Sequence, residues 1–460
     1  MKYTVFYCCL LCCTLAMSQE IPEVLGVLQD SVEVSPNSQE TYTLYLPSAY
    51  KEDSIAPIVF IFDPAARGKA GIMPFIEASE KYNYILICSN NAQNGPYGPN
   101  LQIADRLFKS VLPTYAIDEQ RIYTAGFSGG SRLAATIAVL SHGIQGVIAC
   151  GAGFSRNPLY FPTTRNSFSY IGIVGDRDMN YLEMHKTKEW LTNLRLPYEL
   201  LFFPGEHQWP PSNVLVKAFD WLQLQARNKG LVVINEEDLT TLFQESLTIA
   251  TQYEEEGNLQ HAVVAYERIL NNFSDHEGVD SLHKKVKLLK RQKDYKKALS
   301  AEKKVAVLED TLSGKFMKRF SEEVFKGAND DDFDWWRNNI KMIQKKYSTK
   351  EQVAFQNMGF RIERQIFAVA IESFSTFLRE GKEKEATYAK NLLLVVSPNS
   401  PIVHYQLARG YARNNLMSNA LEHIEYALQA GWKNTDYLRN TREFAAFKTN
   451  PDFIRILNEY

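Results

Sequence analysis

The sequence predicts a two-part chain: an α/β layered half built on a mostly parallel sheet, then an all-helical half built from repeats. Three observations carry this. Up to about Arg227, short apolar runs rich in Val, Ile, Phe and Tyr alternate with helical patterns, which is the mark of buried parallel strands covered by helices on both faces. From about Glu236 the strand-like runs stop, Gly and Pro thin out, and Lys, Glu, Ala and Leu dominate. Small and aromatic residues then recur, with a 34-residue offset from Ala386 to Ala420. At roughly 100–200 residues per domain, 460 residues leave room for two to four domains.

The chain opens with Lys2, an apolar stretch from about Val5 to Leu15, and Ala16-Met17-Ser18 before Gln19. A short positive start, a short apolar core and small residues before a cut describe a signal peptide over 1–18. The run is too short for a good membrane span, so an uncleaved anchor is the weaker reading. A lipoprotein signal is disfavoured because Leu11, not a small residue, precedes Cys12. Cys8, Cys9, Cys12 and Cys13 leave with this segment. Cys88 and Cys150 remain, each closing an apolar run, and they read as buried small residues rather than a disulfide or metal pair. Lys and Arg total 51 against 53 Asp and Glu. That balance predicts no nucleic-acid partner. The mature chain is expected to be exported, periplasmic or secreted, without a membrane span.

In the first half, Glu40–Leu46 alternates with period two and reads as an antiparallel edge strand. Core strands are predicted over Ile58–Phe62, Tyr84–Cys88, Arg121–Ala125, Gly146–Cys150, Tyr170–Val174 and Leu200–Phe203. Helices are predicted over Asn100–Leu112, Gly130–Leu140, Tyr181–Asn193 and Asn213–Gln225. The layered region spans 30–228 and the helical region 236–460.

Chemistry concentrates at Gly126-Phe127-Ser128-Gly129-Gly130, a G-x-S-x-G set between a predicted strand and a predicted helix. This is the setting of a nucleophile elbow, in which a tight turn exposes the serine and the helix N-terminus faces the reacting carbonyl. A Gly-rich turn with an idle serine is the plain alternative. The base should lie on a loop after a late strand. His207 does, following Leu200–Phe203, whereas His142 and His185 fall at or within helices. The acid should follow the preceding strand, where Asp176 and Asp178 compete in Gly175-Asp176-Arg177-Asp178. Asp178 is favoured, and Asp176 could instead pair with Arg177 or cap the next helix.

These segments resemble the α/β-hydrolase superfamily, in particular its polyhydroxybutyrate-depolymerase, feruloyl-esterase and dienelactone-hydrolase-like members. The likeness covers about residues 38–226. It rests on Ile117–Tyr123 leading into Gly126–Gly130, on Gly175–Asp178, and on Gly205-Glu206-His207-Gln208-Trp209-Pro210. It implies a doubly wound, mostly parallel sheet and a serine hydrolase with Ser128, Asp178 and His207 as triad, needing no metal or organic cofactor. The sequence departs from the family after Phe62. Asp63-Pro64-Ala65-Ala66-Arg67 stands where a His-Gly pair usually supplies an oxyanion donor, and Pro64 has no N–H. Gly129 N–H is expected as first donor and Ala65 N–H as second, with Asp63 holding the loop. A damaged, slow site is the alternative. Arg67 is expected in an ion pair rather than on a substrate carboxylate. Asn94, Tyr97 and Trp209 are candidates for substrate contact and suit a small or sugar-linked ester. A carboxylesterase is expected, although the sheet and triad do not separate esters from peptides. The intact Ser128, Asp178 and His207 speak against a scaffold whose repeats carry the function, while Asp63-Pro64 speaks for it.

In the second half, Ala250, Tyr253, Gly257, Ala262 and Tyr266 resemble the tetratricopeptide pattern. Phe374, Phe377, Ala386, Leu393 and Pro398 repeat it, as do Ala408, Tyr411, Ala420, Ile424 and Ala427, with a poorer copy at Val286, Leu289, Lys293 and Ala298. That resemblance implies stacked helix pairs offering a groove to a peptide or protein partner. Residues 310–365 fit poorly. Asp330–Asp334 before Trp335-Trp336 reads as an acidic helix start with Trp packed inward, not a calcium loop. Histidines 261, 276, 283, 404 and 423 read as helix-surface residues. A chain ending near Lys229 is expected to keep hydrolysis of small esters.

Overall fold

Residues 24–325, 333–347 and 352–460 are described by a computed structural model. The expected signal peptide with its four cysteines, and Asp330–Asp332, lie outside the described residues.

Eight strands form one sheet: β1 (Leu28–Glu33), β2 (Thr41–Tyr45), β3 (Ala56–Phe62), β4 (Ile85–Ser89), β5 (Ile117–Phe127), β6 (Ile144–Cys150), β7 (Ser169–Gly175) and β8 (Tyr198–Phe203). Their order is β1-β2-β4-β3-β5-β6-β7-β8. β2 runs antiparallel to β1 and β4, and every later pair is parallel. All residues of β3, β4 and β7 are buried, because helices cover both faces. On one face α1 (Gly68–Ile72), α2 (Ile76–Tyr82) and α6 (Ser212–Asn228) pack on Val59, Ile61 and Ile171. On the other, α3 (Tyr97–Val111), α4 (Gly129–Leu140) and α5 (Tyr181–Leu194) pack on Ile58, Phe60 and Val147. Odd and even residues of β3 thus serve two cores, the period-two rule of a strand between layers. This is the α/β-hydrolase fold.

The strand at Thr41–Tyr45 is not the edge. β1 pairs outside it with Val32 opposite Tyr42. β1 escaped sequence reading because its LQDSVE run buries only Val32 and lacks apolar alternation. The helices at Gly68–Tyr82 were likewise unsignalled. Cys88 and Cys150 are buried free thiols.

The second half is all-helical among the described residues: α7 (Glu236–Glu255), α8 (Leu259–Asn272), α9 (Val279–Arg291), α10 (Lys293–Phe325), α11 (Asp334–Tyr347), α12 (Val353–Arg379), α13 (Glu383–Val396), α14 (Pro401–Arg413), α15 (Met417–Gln429), α16 (Thr435–Asn440) and α17 (Pro451–Glu459). Ala250, Ala262, Ala386, Ala408, Ala420 and Ala427 are all buried, since helices of a close pair need small residues at the crossing. The poorly fitting stretch is where α10 and α12 run long, at 33 and 27 residues. Trp336 is fully buried, and its indole N–H lies 2.8 Å from Glu323 Oε2 and 3.0 Å from Tyr388 OH. His423 departs from the surface reading: it is buried, with its Nδ1 3.0 Å from His404 Nδ1. No helix among the described residues is long and apolar enough to cross a membrane.

Candidate active site

β5 delivers Ser128 to a turn that only this spacing of glycines allows. Ser128 has φ 53° and ψ −118°, a region a side chain enters only when its surroundings force it. A β-carbon on Gly126 would stand 2.3 Å from the Gly130 carbonyl, and one on Gly130 1.9 Å from Phe62 O. Both positions therefore require glycine. The Ser128 N–H donates to Cys150 O at 2.8 Å, and α4 begins at the next residue.

The loop after β8 brings His207 to this turn. His207 Nε2 lies 2.9 Å from Ser128 Oγ, and Nδ1 lies 2.8 Å from Asp178 Oδ2. Asp178 is fully buried, and its other oxygen accepts the Asn180 N–H at 2.8 Å. A carboxylate at Nδ1 favours the tautomer with the proton there, which leaves Nε2 to accept from the serine hydroxyl. The imidazole packs on Phe127 with ring centroids 4.6 Å apart. Three side chains from the carboxyl ends of β5, β7 and β8 thus form one hydrogen-bonded chain.

Asp176 neither pairs with Arg177 nor caps α5. Its Oδ1 accepts the Gly205 N–H at 3.0 Å and its Oδ2 accepts from Asn357 at 3.0 Å. Arg177 instead faces Glu206 at 3.5 Å.

The loop after β3 corrects the expectation for Ala65. Its N–H donates to Asp63 Oδ1 at 2.9 Å, so it is engaged within its own loop rather than offered to an oxyanion. Asp63 is fully buried. It also accepts two guanidinium bonds from Arg67, each 2.9 Å, and the Trp209 indole N–H at 3.0 Å. Trp209 is thereby a brace between the β3 and β8 loops, packed on Phe75 and Phe127. Tyr97 lies against Tyr160, ring centroids 4.9 Å apart. Asn94 sits directly over the elbow: a β-carbon on Gly129 would stand 1.8 Å from its Oδ1 and 3.4 Å from its Nδ2. Its side chain is exposed and makes no hydrogen bond among the described residues. Gly129, first residue of α4, has no intrahelical partner for its N–H. No group of three or more His, Cys, Asp or Glu among the described residues forms a metal-holding cluster.

Sequence reasoning missed Asn357 and Arg361, which reach the acid turn from α12. A signal existed: Arg361 interrupts the buried stripe of Met358, Ile362 and Ile366, and a charge on a buried face needs a partner.

No protein-family model matches the sequence, and comparison with curated proteins finds no relative. Solved structures are similar to the N-terminal portion. An S-formylglutathione hydrolase from Staphylococcus aureus is 13% identical over 44% of this chain and 98% of its own, with TM-score 0.34. A hyperthermophilic esterase from the archaeon Pyrobaculum calidifontis is 11% identical over 46% and 88%, with TM-score 0.36. A puromycin-hydrolysing peptidase of Mycobacterium tuberculosis is 11% identical over 45% and 40%, also with TM-score 0.36.

Proposed function

We propose that this chain is an exported serine hydrolase of carboxylic esters. The observation that carries the reading is the unbroken hydrogen-bonded chain from Ser128 Oγ through His207 to Asp178. In this reading Ser128 Oγ attacks the ester carbonyl while His207 Nε2 takes its proton. Asp178 stabilises the imidazolium that forms. The tetrahedral oxyanion is held by the Gly129 N–H and, in place of Ala65, by the Asn94 carboxamide, whose exposed, unbonded amide is free to turn its Nδ2 inward. His207 then protonates the leaving alcohol. Water, deprotonated by His207, releases the acid and restores Ser128.

The helical half serves as a tetratricopeptide-type platform for a peptide or protein partner. The proposal is tested by a fluorophosphonate probe on the full chain, followed by an ester panel varied in acyl length and aryl content. Labelling confined to Ser128 with turnover of at least one ester supports it. An unlabelled Ser128 in folded protein overturns it.

A further inference from the structure

The loops that carry Asp178 and His207 are gripped by a helix from the other half of the chain. α12 presents Asn357, Phe360, Arg361 and Arg364, whose spacing puts them on one helix face. Asn357 Nδ2 donates to Asp176 Oδ2 at 3.0 Å, and Arg361 donates to the Asp176 carbonyl at 2.6 Å. Asp176 in turn accepts the Gly205 N–H at 3.0 Å and donates its own N–H to Phe203 O at 3.0 Å. Arg177 N–H reaches Gly205 O at 2.9 Å. The acid turn and the histidine loop are thus stitched to each other and to α12. No slack lies between them, since a β-carbon on Gly175 would stand 2.4 Å from Gly205 O.

Arg361 anchors this joint. It is buried, forms two bonds to Glu309 of α10 at 2.8 and 2.5 Å, and lies 4.4 Å from the centre of the Tyr181 ring. Tyr181 N–H donates to Asp178 O at 2.9 Å. The guanidinium groups of Arg177 and Arg364 both lie over the Phe360 ring, 5.1 and 4.8 Å from its centre, and Arg364 faces Glu206, the neighbour of His207, at 3.6 Å.

Simple adhesion does not account for this choice of residues. A buried ion pair is often no more stable than an apolar joint of the same volume, because both charges lose their water. What it supplies is direction. Two other ties between the halves, Lys186 with Asp310 and Arg227 with Asp275, each involve an exposed group and are worth little.

We infer that α12 is a positioning element of the catalytic site: Asn357 and Arg361, acting through Asp176, set the approach of Asp178 to His207. Its catalytic consequence rests on the serine-hydrolase reading. It also replaces the expectation that residues up to Lys229 suffice, because the groups holding the acid turn lie beyond that point.

The test uses the full chain with Asn357→Ala, Arg361→Lys and, as control, Arg268→Lys, which alters a tie to Glu199 on β8 away from the triad. Arg361→Lys keeps the charge facing Glu309 but loses the fork that also reaches Asp176. For the first two variants kcat should fall about 10- to 100-fold with KM little changed, as a small misplacement does. In ¹H NMR, the downfield Nδ1–H proton of His207, hydrogen-bonded to Asp178 at 2.8 Å, should move upfield in both, since a displaced Asp178 accepts it over a longer bond. The control should match the wild type in both measurements. Wild-type kcat and a wild-type His207 Nδ1–H resonance in both variants overturn the inference. Should the wild type prove unreactive, the hydrolase reading fails while the His207 Nδ1–H resonance still decides the clasp. If Arg361→Lys does not fold, Asn357→Ala decides, because it leaves the Arg361–Glu309 pair intact.

Discussion

Asp178 and Asp176 stand two residues apart on one turn and serve opposite sides of it. Asp178 Oδ2 meets His207 Nδ1 at 2.8 Å, whereas the Asp176 carboxylate turns to Gly205 and Asn357. Asp178→Asn should therefore lower kcat by about 10⁴-fold, because the amide favours the wrong imidazole tautomer. Asp176→Asn keeps one oxygen for Gly205 and loses the bond to Asn357, so its loss should match that of Asn357→Ala, about 10- to 100-fold. Steady-state kinetics on one ester compares them. A larger loss at Asp176 would reverse the assignment.

Ser128→Ala should abolish fluorophosphonate labelling and lower kcat by about 10⁶-fold, since the three groups act as a unit. Intact-mass spectrometry after labelling reads the first effect directly. Adduct persisting on the variant would place the nucleophile elsewhere.

Asn94→Ala separates an oxyanion donor from a substrate contact. A donor used in the transition state costs about 10²- to 10³-fold in kcat with KM unchanged. If KM rises while kcat holds, Asn94 binds substrate and the second donor lies elsewhere.

Asp63→Asn should destabilise the fold by about 1–3 kcal/mol, because a buried acceptor of several donors is replaced by a group that can accept only on one side. Trp209, whose indole N–H donates to Asp63 Oδ2 at 3.0 Å, should report the change in its fluorescence. Urea unfolding measures the midpoint, and an unshifted midpoint would deny Asp63 its bracing role.

His423 makes the helical half sensitive to acid. Burial, with His404 and Lys390 nearby, pushes its pKa down from 6.5 to about 3. Above pH 6.5 it is neutral in both the folded and the unfolded state and contributes no pH dependence. As the pH falls below 6.5 the unfolded chain takes up a proton that the folded chain refuses, so stability drops. Between pH 7.5 and 5 the loss is about 2 kcal/mol. His423→Gln should flatten this part of the curve in thermal unfolding at both pH values. An unchanged slope would rule the residue out.

What was legible in the sequence was whatever is encoded over short range. The core strands and the main helices of the layered half follow from period-two and helical patterning, and the elbow from glycines packed around one serine. The loops bearing His207 and the two aspartates follow from where each strand must end. β1 was not legible because an edge strand facing water has little apolar pattern to show. Ala65 was misread because its sequence shows a free N–H but not the Asp63 carboxylate that folds back on it.

By itself, the sequence determined a parallel sheet of the α/β-hydrolase kind, the place of the glycine-flanked Ser128 turn on it, and a helical second half. The tertiary structure alone decided which aspartate meets His207, that Asn94 overlies Gly129 while the Ala65 N–H turns to Asp63, and that α12 is bonded to the turn bearing Asp176. The physical reason is distance along the chain. Asp176 and Arg361 are 185 residues apart, and no local pattern can state which buried charge will find which carbonyl. That pairing exists only once the strand order and the packing of α10 and α12 have brought the two surfaces together.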